Sequence, residues 1–353
     1  MAFKKNGNRA ATLADVGREA GVSAMAASAV LNGAKTSTRI SMVTRDRILA
    51  AAKKLRYRAN VAARALAYRR MNTIGVAAVI EGGELNQYFL NVFNGILEGA
   101  RERSQNTTVF TLQNWIEDSQ RLLGFCDGRI DGMILVCPNL ASQSVENLPS
   151  HTPFVAIHPN QVIKGVAFLE SDEEEGAFAM VQHLIEKGHR RILHLSGGRG
   201  LISTARRIKG YQNALKKAQI AAPENMIIEA GFSIARGKEA MARFLQNVDA
   251  KALPDAVFCA SDSIAVGAME ALAEKGIHVP EDISVAGFDD TLLARTTRPQ
   301  LSTVRQPLRK MGYDAVDTLI RAIENRDNEP SPTSERKGYV TELVFRASIA
   351  NRN

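Results

Sequence analysis

The chain has 353 residues, of which 45% are apolar and 23% are charged, a composition that is ordinary for a folded protein of two or three domains. Apolar runs stay below the ~18–20 residues of a membrane helix, and no apolar stretch follows the basic segment 1–8 as it would in a secretory signal. The three cysteines and six histidines lack the spacing of metal ligands. We therefore expect a cytoplasmic protein without metal or membrane contact. Residues 1–70 hold fifteen Lys or Arg against three acidic residues, a net +12 that leaves −4 for the rest of a chain whose total is +8, and such a basic head is typical of nucleic-acid-binding modules.

The first predicted elements are two short helices joined by a turn. The segment Thr12–Asp15 has the spacing of a capping box, which predicts a helix over residues 13–20. Gly21 allows the left-handed turn that ends this helix, and Ser23 then caps a second helix over residues 24–32. Together these elements form a helix-turn-helix pattern, and the charge of the segment favours DNA as its partner.

A third helix and a short basic segment complete the head. Ser41 caps the predicted third helix, which runs to about Leu55. Its predicted apolar face consists of Val43, Ile48, Ala51, Ala52 and Leu55. Residues 61–67 are rich in small side chains and too short to be stable alone, so we expect them to become ordered on a partner.

From Thr73 onward, strand and helix patterns alternate. The predicted strands, roughly ten with those that the pattern defines less sharply, include Ile74–Ile80, Thr107–Leu112, Met133–Val136, Phe154–Ile157, Ile192–Leu195, Ala256–Ala260 and Ser284–Ala286, and predicted helices begin near residues 88, 174, 207 and 262. Repeated β-α units imply parallel sheets covered by helices. Because this number of strands exceeds one comfortable sheet, we predict an α/β body of two Rossmann-like lobes after the all-α head.

Polar and aromatic side chains follow several of these strands. They are Tyr88 and Phe89, His158, Ser196, Ser261 and Asp262, and Asp289 and Asp290. In parallel sheets ligands bind beyond the carboxyl ends of the strands, and such groups suit a small polyhydroxylated ligand. His158 stays open between a ligand contact and a loop residue. The loop 196–200 is no phosphate loop and shows no dinucleotide spacing, so we predict no cofactor.

The head resembles the lactose/galactose repressor family. The resemblance rests on TLADVGREAGVS (residues 12–23), VLNG (30–33), LRYRAN (55–60) and VAARALA (61–67), and it continues through about nine-tenths of the chain. It implies that the second helix enters the major groove with Ala24, Met25, Ser28 and Ala29 at the base edges, and that phosphate or nearby DNA contacts come from Thr12, Ser23, Asn32, Ser41, Thr44 and Tyr57. It also implies a hinge helix with Asn60, Ala63 and Leu66 in the minor groove, where Leu66 would wedge open a base step.

For the body, the resemblance implies a periplasmic-binding-protein-like sensor of a sugar-like effector. The implied effector residues are Tyr88, Phe89, Ser203, Arg207, Phe232, Ser261, Asp289 and Gln306. The implied ranges are a head over 1–58, a hinge over 59–71 and a body over 72–353, with an N-lobe over 72–164 and 290–325 and a C-lobe over 165–289 and 326–348. Two chains would pair over a palindromic operator, and the effector would change DNA affinity through the lobes.

The second helix departs from the family pattern. Where the family commonly has SxxTVSRVLN, this chain has SAMAASAVLN. Ala29 therefore stands where an arginine or a similar polar residue often contacts the bases. Ala59 stands where a proline is common. Alanine and methionine cannot form the bidentate hydrogen bonds that identify bases. We therefore expect strong reliance on phosphate contacts and DNA shape, with a steep salt dependence.

Three other interpretations remain open. A periplasmic sugar-binding protein would share the body but not the basic head. An enzyme on a doubly wound fold would need a catalytic group, and the sequence offers no nucleophile–base pair, so we predict no catalytic residue and no enzymatic activity. A nucleoid-type DNA binder would have lost its ligand. The effector, the operator and the sign of the response are not specified by the sequence.

Overall fold

The protein is described by a computed structural model that covers residues 10–32, 40–58, 70–80, 86–221, 223–249, 252–325 and 335–353. The chain divides into two compact units, Met1–Asn72 and Thr73–Asn353. Among the described residues, none of the helices is both long and apolar enough to cross a lipid bilayer.

The first unit contains helices α1 (Leu13–Ala20), α2 (Ala24–Asn32) and α3 (Met42–Lys54). The predicted capping box is confirmed, because the Asp15 amide donates to Thr12 Oγ1 (3.3 Å) and the Thr12 amide donates to an Asp15 carboxylate oxygen (2.9 Å). Gly21 ends α1 at φ +66°, a conformation that glycine adopts without strain.

The three helices enclose a small apolar core. Its buried members are Val16, Ala20, Ala27, Ile48, Ala51 and Ala52. The predicted apolar face of α3 is correct at Ile48 and wrong at Val43, which is 72% exposed. Val43 lies in the first turn, and Ile48 follows it at position i+5, so the two side chains do not share one helical face.

The first sheet of the second unit defines the N-lobe. Its strands are β1 (Thr73–Val79), β2 (Asn106–Leu112), β3 (Gly132–Val136), β4 (Phe154–Ile157), β5 (Ala167–Ser171) and β11 (Arg336–Tyr339). In the described part of the chain they form one parallel sheet in the order β11-β5-β4-β3-β1-β2. Alternate residues of β1 enter different cores, with Ile74 and Val76 on one face and Ala77 on the other, as expected for a strand covered on both sides.

Helices cover both faces of the N-lobe sheet. Helices α4 (Gln87–Glu102) and α13 (Leu308–Glu324) pack together on one face. The short helices α5 (Trp115–Asp118), α6 (Arg121–Phe125) and α7 (Ser142–Glu146) lie on the other side. A Cβ atom on Gly95 of α4 would overlap the Arg309 carbonyl oxygen of α13, so glycine permits this close crossing.

The second sheet defines the C-lobe. Its strands are β6 (Ile192–Ser196), β7 (Ile227–Glu229), β8 (Ala256–Cys259), β9 (Ser284–Asp289), β10 (Ser302–Arg305) and β12 (Glu342–Val344). Among the described residues their order is β12-β10-β9-β8-β6-β7, and the pairing is parallel except that β12 runs antiparallel to β10. The predicted pair of Rossmann-like lobes is confirmed.

The C-lobe helices also lie in two layers. Helices α8 (Glu173–Glu186) and α9 (Ile202–Lys217) cover one face, and α10 (Ile234–Asn247) and α11 (Asp262–Glu274) cover the other. A 3₁₀ turn (Glu224–Met226) precedes β7, and helix α12 (Leu292–Thr296) follows β9.

The predicted lobe ranges are wrong at three strands. Strand β5 pairs with β4 and so belongs to the N-lobe, β10 pairs with β9 and belongs to the C-lobe, and β11 pairs with β5 in the N-lobe. The chain therefore crosses between the lobes after β5, after β10 and after β11. These crossings place Asp172, Gln306 and Val340 at the junction of the lobes.

Candidate functional site

A cavity of about 440 Å³ lies between the N-lobe and the C-lobe, beyond the carboxyl ends of their strands. Seven of the eight predicted effector residues line it: Tyr88, Phe89, Ser203, Arg207, Phe232, Ser261 and Asp289. They come from α4, α9, the segment before α10, the start of α11 and the end of β9. Parallel β-α units bring such distant segments together because all their strands end at one edge.

Arg207 carries the buried positive charge of the cavity. Its guanidinium donates to Glu173 Oε1 (2.7 Å) and to the Ala260 carbonyl oxygen, and it lies 3.9 Å from Asp289 Oδ1. The Phe288 ring lies beneath it, with its centroid 4.1 Å from Cζ. Burial opposes the charge of Arg207, but Glu173 and Asp289 outweigh that effect and raise its pKa.

Asp289 connects the cavity to the junction of the lobes. Gln306, the eighth predicted residue, is absent from the described lining but donates from Nε2 to Asp289 Oδ1 (2.7 Å). Gln306 Oε1 in turn accepts a short hydrogen bond from Ser171 Oγ, at the end of β5. Burial raises the pKa of Asp289 despite the nearby Arg207. The chain of contacts therefore joins a cavity carboxyl group to two of the three lobe crossings.

The other aspartates near the strand ends are structural. Asp262 is fully buried and accepts hydrogen bonds from Thr303 Oγ1 (2.6 Å) and from the amide and hydroxyl of Thr291. Asp290 pairs with Arg305 (2.8 Å) and Arg346 (2.5 Å). Of the two adjacent aspartates at the end of β9, only Asp289 is therefore on the cavity lining.

His158 lines the cavity and fixes the orientation of Tyr88. The Ser171 backbone amide, which can only donate, lies 3.0 Å from His158 Nε2, so this nitrogen accepts. The low-dielectric surroundings lower the pKa of His158, and a neutral ring then carries its proton on Nδ1. The Nδ1–H group donates a hydrogen bond to the Tyr88 hydroxyl oxygen, 2.5 Å away, and the tyrosine keeps its own hydrogen for another partner.

Asn160 ties the N-lobe to the start of α9. The N-cap residue of α9, Leu201, provides no side-chain cap. Instead Asn160 Oδ1 accepts from the Ile202 amide (2.5 Å), and Asn160 Nδ2 donates to the Gly200 carbonyl oxygen (2.9 Å). A residue of one lobe thus caps the helix of the other lobe that carries Ser203 and Arg207.

Several lining residues were not predicted as effector contacts. Besides five aliphatic residues, they are Asn86, Gln113, Asn114, Trp115, Cys137, Asn139, Asn160, Glu173 and Ser263. The only tryptophan of the chain, Trp115, follows the carboxyl end of β2. An aromatic residue at a strand end is a feature of the sequence that indicates a ligand contact. Cys137 is exposed to the cavity, and desolvation by the protein around it raises the pKa of its thiol to about 12.

The first unit presents a different kind of surface. Of the predicted base-contacting residues, Ala24 and Met25 are exposed, and Ser28 and Ala29 are half-buried. Among the predicted phosphate-contacting residues, Ser23 and Ser41 cap α2 and α3, because their hydroxyl oxygens accept from the Ala26 and Thr44 amides. The predicted hinge residues Asn60, Ala63 and Leu66 lie outside the described residues.

Comparisons with known proteins give the family. Residues 12–60 match the family model described as bacterial regulatory proteins, lacI family, and residues 181–349 match that of the periplasmic binding protein-like domain. The chain is 34% identical to the HTH-type transcriptional repressor PurR of Vibrio atlanticus (strain LGP32), over 90% of this chain and 94% of that protein. It is 30% identical to the ribose operon repressor of Haemophilus influenzae, over 89% of this chain and 92% of that protein.

Solved structures agree with this assignment. The lac repressor dimer bound to operator and the anti-inducer ONPF has a TM-score of 0.82 and 26% identity, and the match covers 97% of this chain and all of that one. The transcriptional regulator CelR in complex with cellobiose has a TM-score of 0.70 and 28% identity over 96% of this chain and 99% of that one. The chain therefore belongs to the lacI family of bacterial regulatory proteins, with a helix-turn-helix DNA-binding domain followed by a periplasmic-binding-protein-like ligand domain.

Proposed function

We propose that this protein is a cytoplasmic repressor whose operator affinity changes when a sugar or sugar-like molecule binds between the lobes. The observation that carries the proposal is the buried Arg207, held by Glu173 and Asp289 at the cavity lining. Carboxylate oxygens accept hydrogen bonds from ligand hydroxyls, and a guanidinium donates to ligand oxygens. One central group can therefore bind a molecule that carries many hydroxyls.

The rest of the lining supports the same ligand class. Amide side chains surround the cavity (Asn86, Gln113, Asn114, Asn139 and Asn160), and Trp115 and Phe232 add ring surfaces that can cover the apolar face of a sugar. The volume falls at the small end of the ~300–1,000 Å³ found for ligand sites. Relatives with the names ribose operon repressor and CelR-cellobiose complex favour a carbohydrate as well.

The ligand would act through the junction of the lobes. A hydroxyl bound to Asp289 competes with the Gln306 amide, whose other end holds Ser171 at the first crossing. Asn160, which also lines the cavity, is a second link between the lobes, since its side chain accepts a hydrogen bond from the Ile202 amide at the start of α9. A ligand shifts such an equilibrium only by its differential affinity for the two states, typically about 1–3 kcal/mol.

On DNA, we propose that two copies pair and occupy a palindrome, and that the protein is nucleoid-associated when bound. The +12 charge of residues 1–70 and the similarity to the operator-bound lac repressor dimer support this arrangement. Asn60, Ala63 and Leu66 would enter the minor groove between the half-sites, and Thr12, Ser23, Asn32, Ser41, Thr44 and Tyr57 would contact the backbone near the major groove. The protein would bind its ligand without chemical conversion, in keeping with its similarity to proteins named as transcriptional repressors.

Selection of bound sequences from random duplex DNA tests this function. The full chain is incubated with the library alone, with D-ribose and with cellobiose, and bound duplexes are sequenced. We expect a palindrome whose recovery changes with a carbohydrate of this class. The control is Asp289→Asn, which keeps the Gln306 contact but removes the charge, and it should select the same palindrome without the ligand response. Failure to enrich any sequence would contradict the proposal.

A further inference from the structure

The exposed face of α2 is almost entirely apolar. Met25 is 72% exposed and Ala24 is also exposed, whereas Ala27 on the opposite face is fully buried. Ala29 follows Met25 by four residues, so the two side chains share one stripe of the helix. Helix α2 carries neither acidic nor basic residues in its first and last turns.

The few polar side chains of this helix are engaged locally. Ser23 Oγ accepts from the Ala26 amide (3.1 Å), and Asn32 Nδ2 donates to Ser28 Oγ (3.3 Å). Asn32 is the one residue of α2 with both an amide donor and an amide acceptor, the pair that recognises adenine. Its donor is turned back along the helix toward Ser28, so α2 does not present that pattern outward.

We propose that α2 recognises its DNA half-site through thymine C5-methyl groups, with Met25 as the principal contact and Ala24 and Ala29 beside it. The inference rests on the proposed DNA-binding function and names the chemistry by which that function selects its sequence. The thymine methyl is the one apolar group that a base pair presents in the major groove. A methyl-rich helix surface loses no hydrogen bond when it is desolvated against that group.

The charges around the helix match this partner. In the described part of the head, the exposed Arg45 and Arg47 of α3 form no ion pair. Ser41 and Thr44, whose hydroxyls lie 2.9 Å apart, stand beside them at the start of the same helix. Cationic and hydroxyl groups of this kind hold phosphates and fix the position of a protein on the duplex, which leaves the choice of base to α2.

Replacement of single thymines by deoxyuridine tests the proposal, because it removes the methyl group and keeps the base pair. The operator obtained by selection is resynthesised with one deoxyuridine pair at a time, placed symmetrically, and titrated with the full chain by fluorescence anisotropy. We expect affinity to fall about four-fold for each contacted methyl, the effect of one buried methyl group, at one or more positions in each half-site.

Two variants assign the effect. Met25→Ala should weaken binding to the thymine operator and abolish the difference between thymine and deoxyuridine at one position. Met42→Ala removes an equally exposed methionine (71%) of α3 and should leave that difference unchanged. Half-sites without thymine, or affinity that is indifferent to every deoxyuridine, would overturn the inference while the DNA-binding function stands. A chain that enriches no sequence contradicts the DNA-binding function itself and the inference with it.

Discussion

At the scale of residues, the cavity depends on one buried cation. Arg207 is 4% exposed, and its two carboxylate neighbours Glu173 and Asp289 are 2% and 6% exposed. Ions removed from water lose several kcal/mol of hydration each, and only mutual pairing offsets that loss. Such a cluster contributes little to the net free energy of unfolding. It does fix the geometry of the cavity, because each member holds the others in a single arrangement.

Replacement of Arg207 by methionine should destabilise the second unit. We expect Arg207→Met to lower the free energy of unfolding by about 3–5 kcal/mol, since it leaves buried carboxylates without their cation. Lys209→Met is the control on the same helix. Lys209 is 65% exposed in its pair with Glu174, and its loss should cost less than about 1 kcal/mol. Urea denaturation measures both, and equal losses would contradict the role of Arg207.

His194 should make stability fall in acid. It is fully buried between Tyr211 and Phe258, and burial lowers its pKa to about 4. The unfolded chain binds a proton near pH 6.5 and the folded chain does not, so stability is complete above pH 6.5 and declines as pH falls toward 4. This shift corresponds to about 3 kcal/mol. His194→Phe keeps the ring stack and should remove that part of the decline in denaturation curves from pH 7 to 4.

The sequence predicted the residues of this cavity unevenly. The strand pattern alone placed Asp289 at the end of a predicted strand, whereas Arg207 was implied as an effector contact only by the family resemblance. Glu173 was missed because its partner, Arg207, lies 34 residues away and the pairing exists only after α8 and α9 pack. The position of His158 stayed open because its role depends on the backbone amide of Ser171 on a neighbouring strand.

At the scale of elements, the start of α9 depends on the other lobe. Asn160→Ala should remove the cap of α9, at a cost of about 1 kcal/mol, and should speed amide hydrogen exchange at Ile202. Ser233→Ala removes a cap that α10 receives from its own chain segment and should leave exchange at Ile202 unchanged. If Asn160→Ala, like the control, leaves the exchange rate of the Ile202 amide unchanged, the lobes are not coupled through this helix.

Local patterns predicted single elements well and their assembly less well. The capping box and Gly21 define α1 because each contact lies within a few residues of sequence. Strands β5, β10 and β11 were assigned to the wrong lobes because their partners are set by three crossings of the chain. Those crossings pair strands that lie far apart in the sequence, and the hydrophobic pattern within a single strand carries no information about its partner.

At the scale of the whole molecule, the charge distribution governs DNA affinity. The basic head should make operator binding strongly dependent on salt, with a loss of about a thousand-fold between roughly 50 and 200 mM salt if about six phosphates are contacted. The apolar base contacts of α2 neutralise no phosphates. The slope of log affinity against log salt concentration should therefore be similar for a duplex of random sequence. Anisotropy titrations at several salt concentrations measure both slopes, and a nearly flat dependence on the operator would contradict this prediction.

Occupancy of the cavity between the lobes should change the affinity of the head for DNA. The most direct measurement is a titration of the selected operator with the full chain, with and without a carbohydrate that binds the cavity, repeated with Asp289→Asn. We expect the carbohydrate to change operator affinity about 5- to 150-fold in the natural chain and to have little effect in the variant. A carbohydrate that binds the cavity of the natural chain but leaves operator affinity unchanged would contradict it.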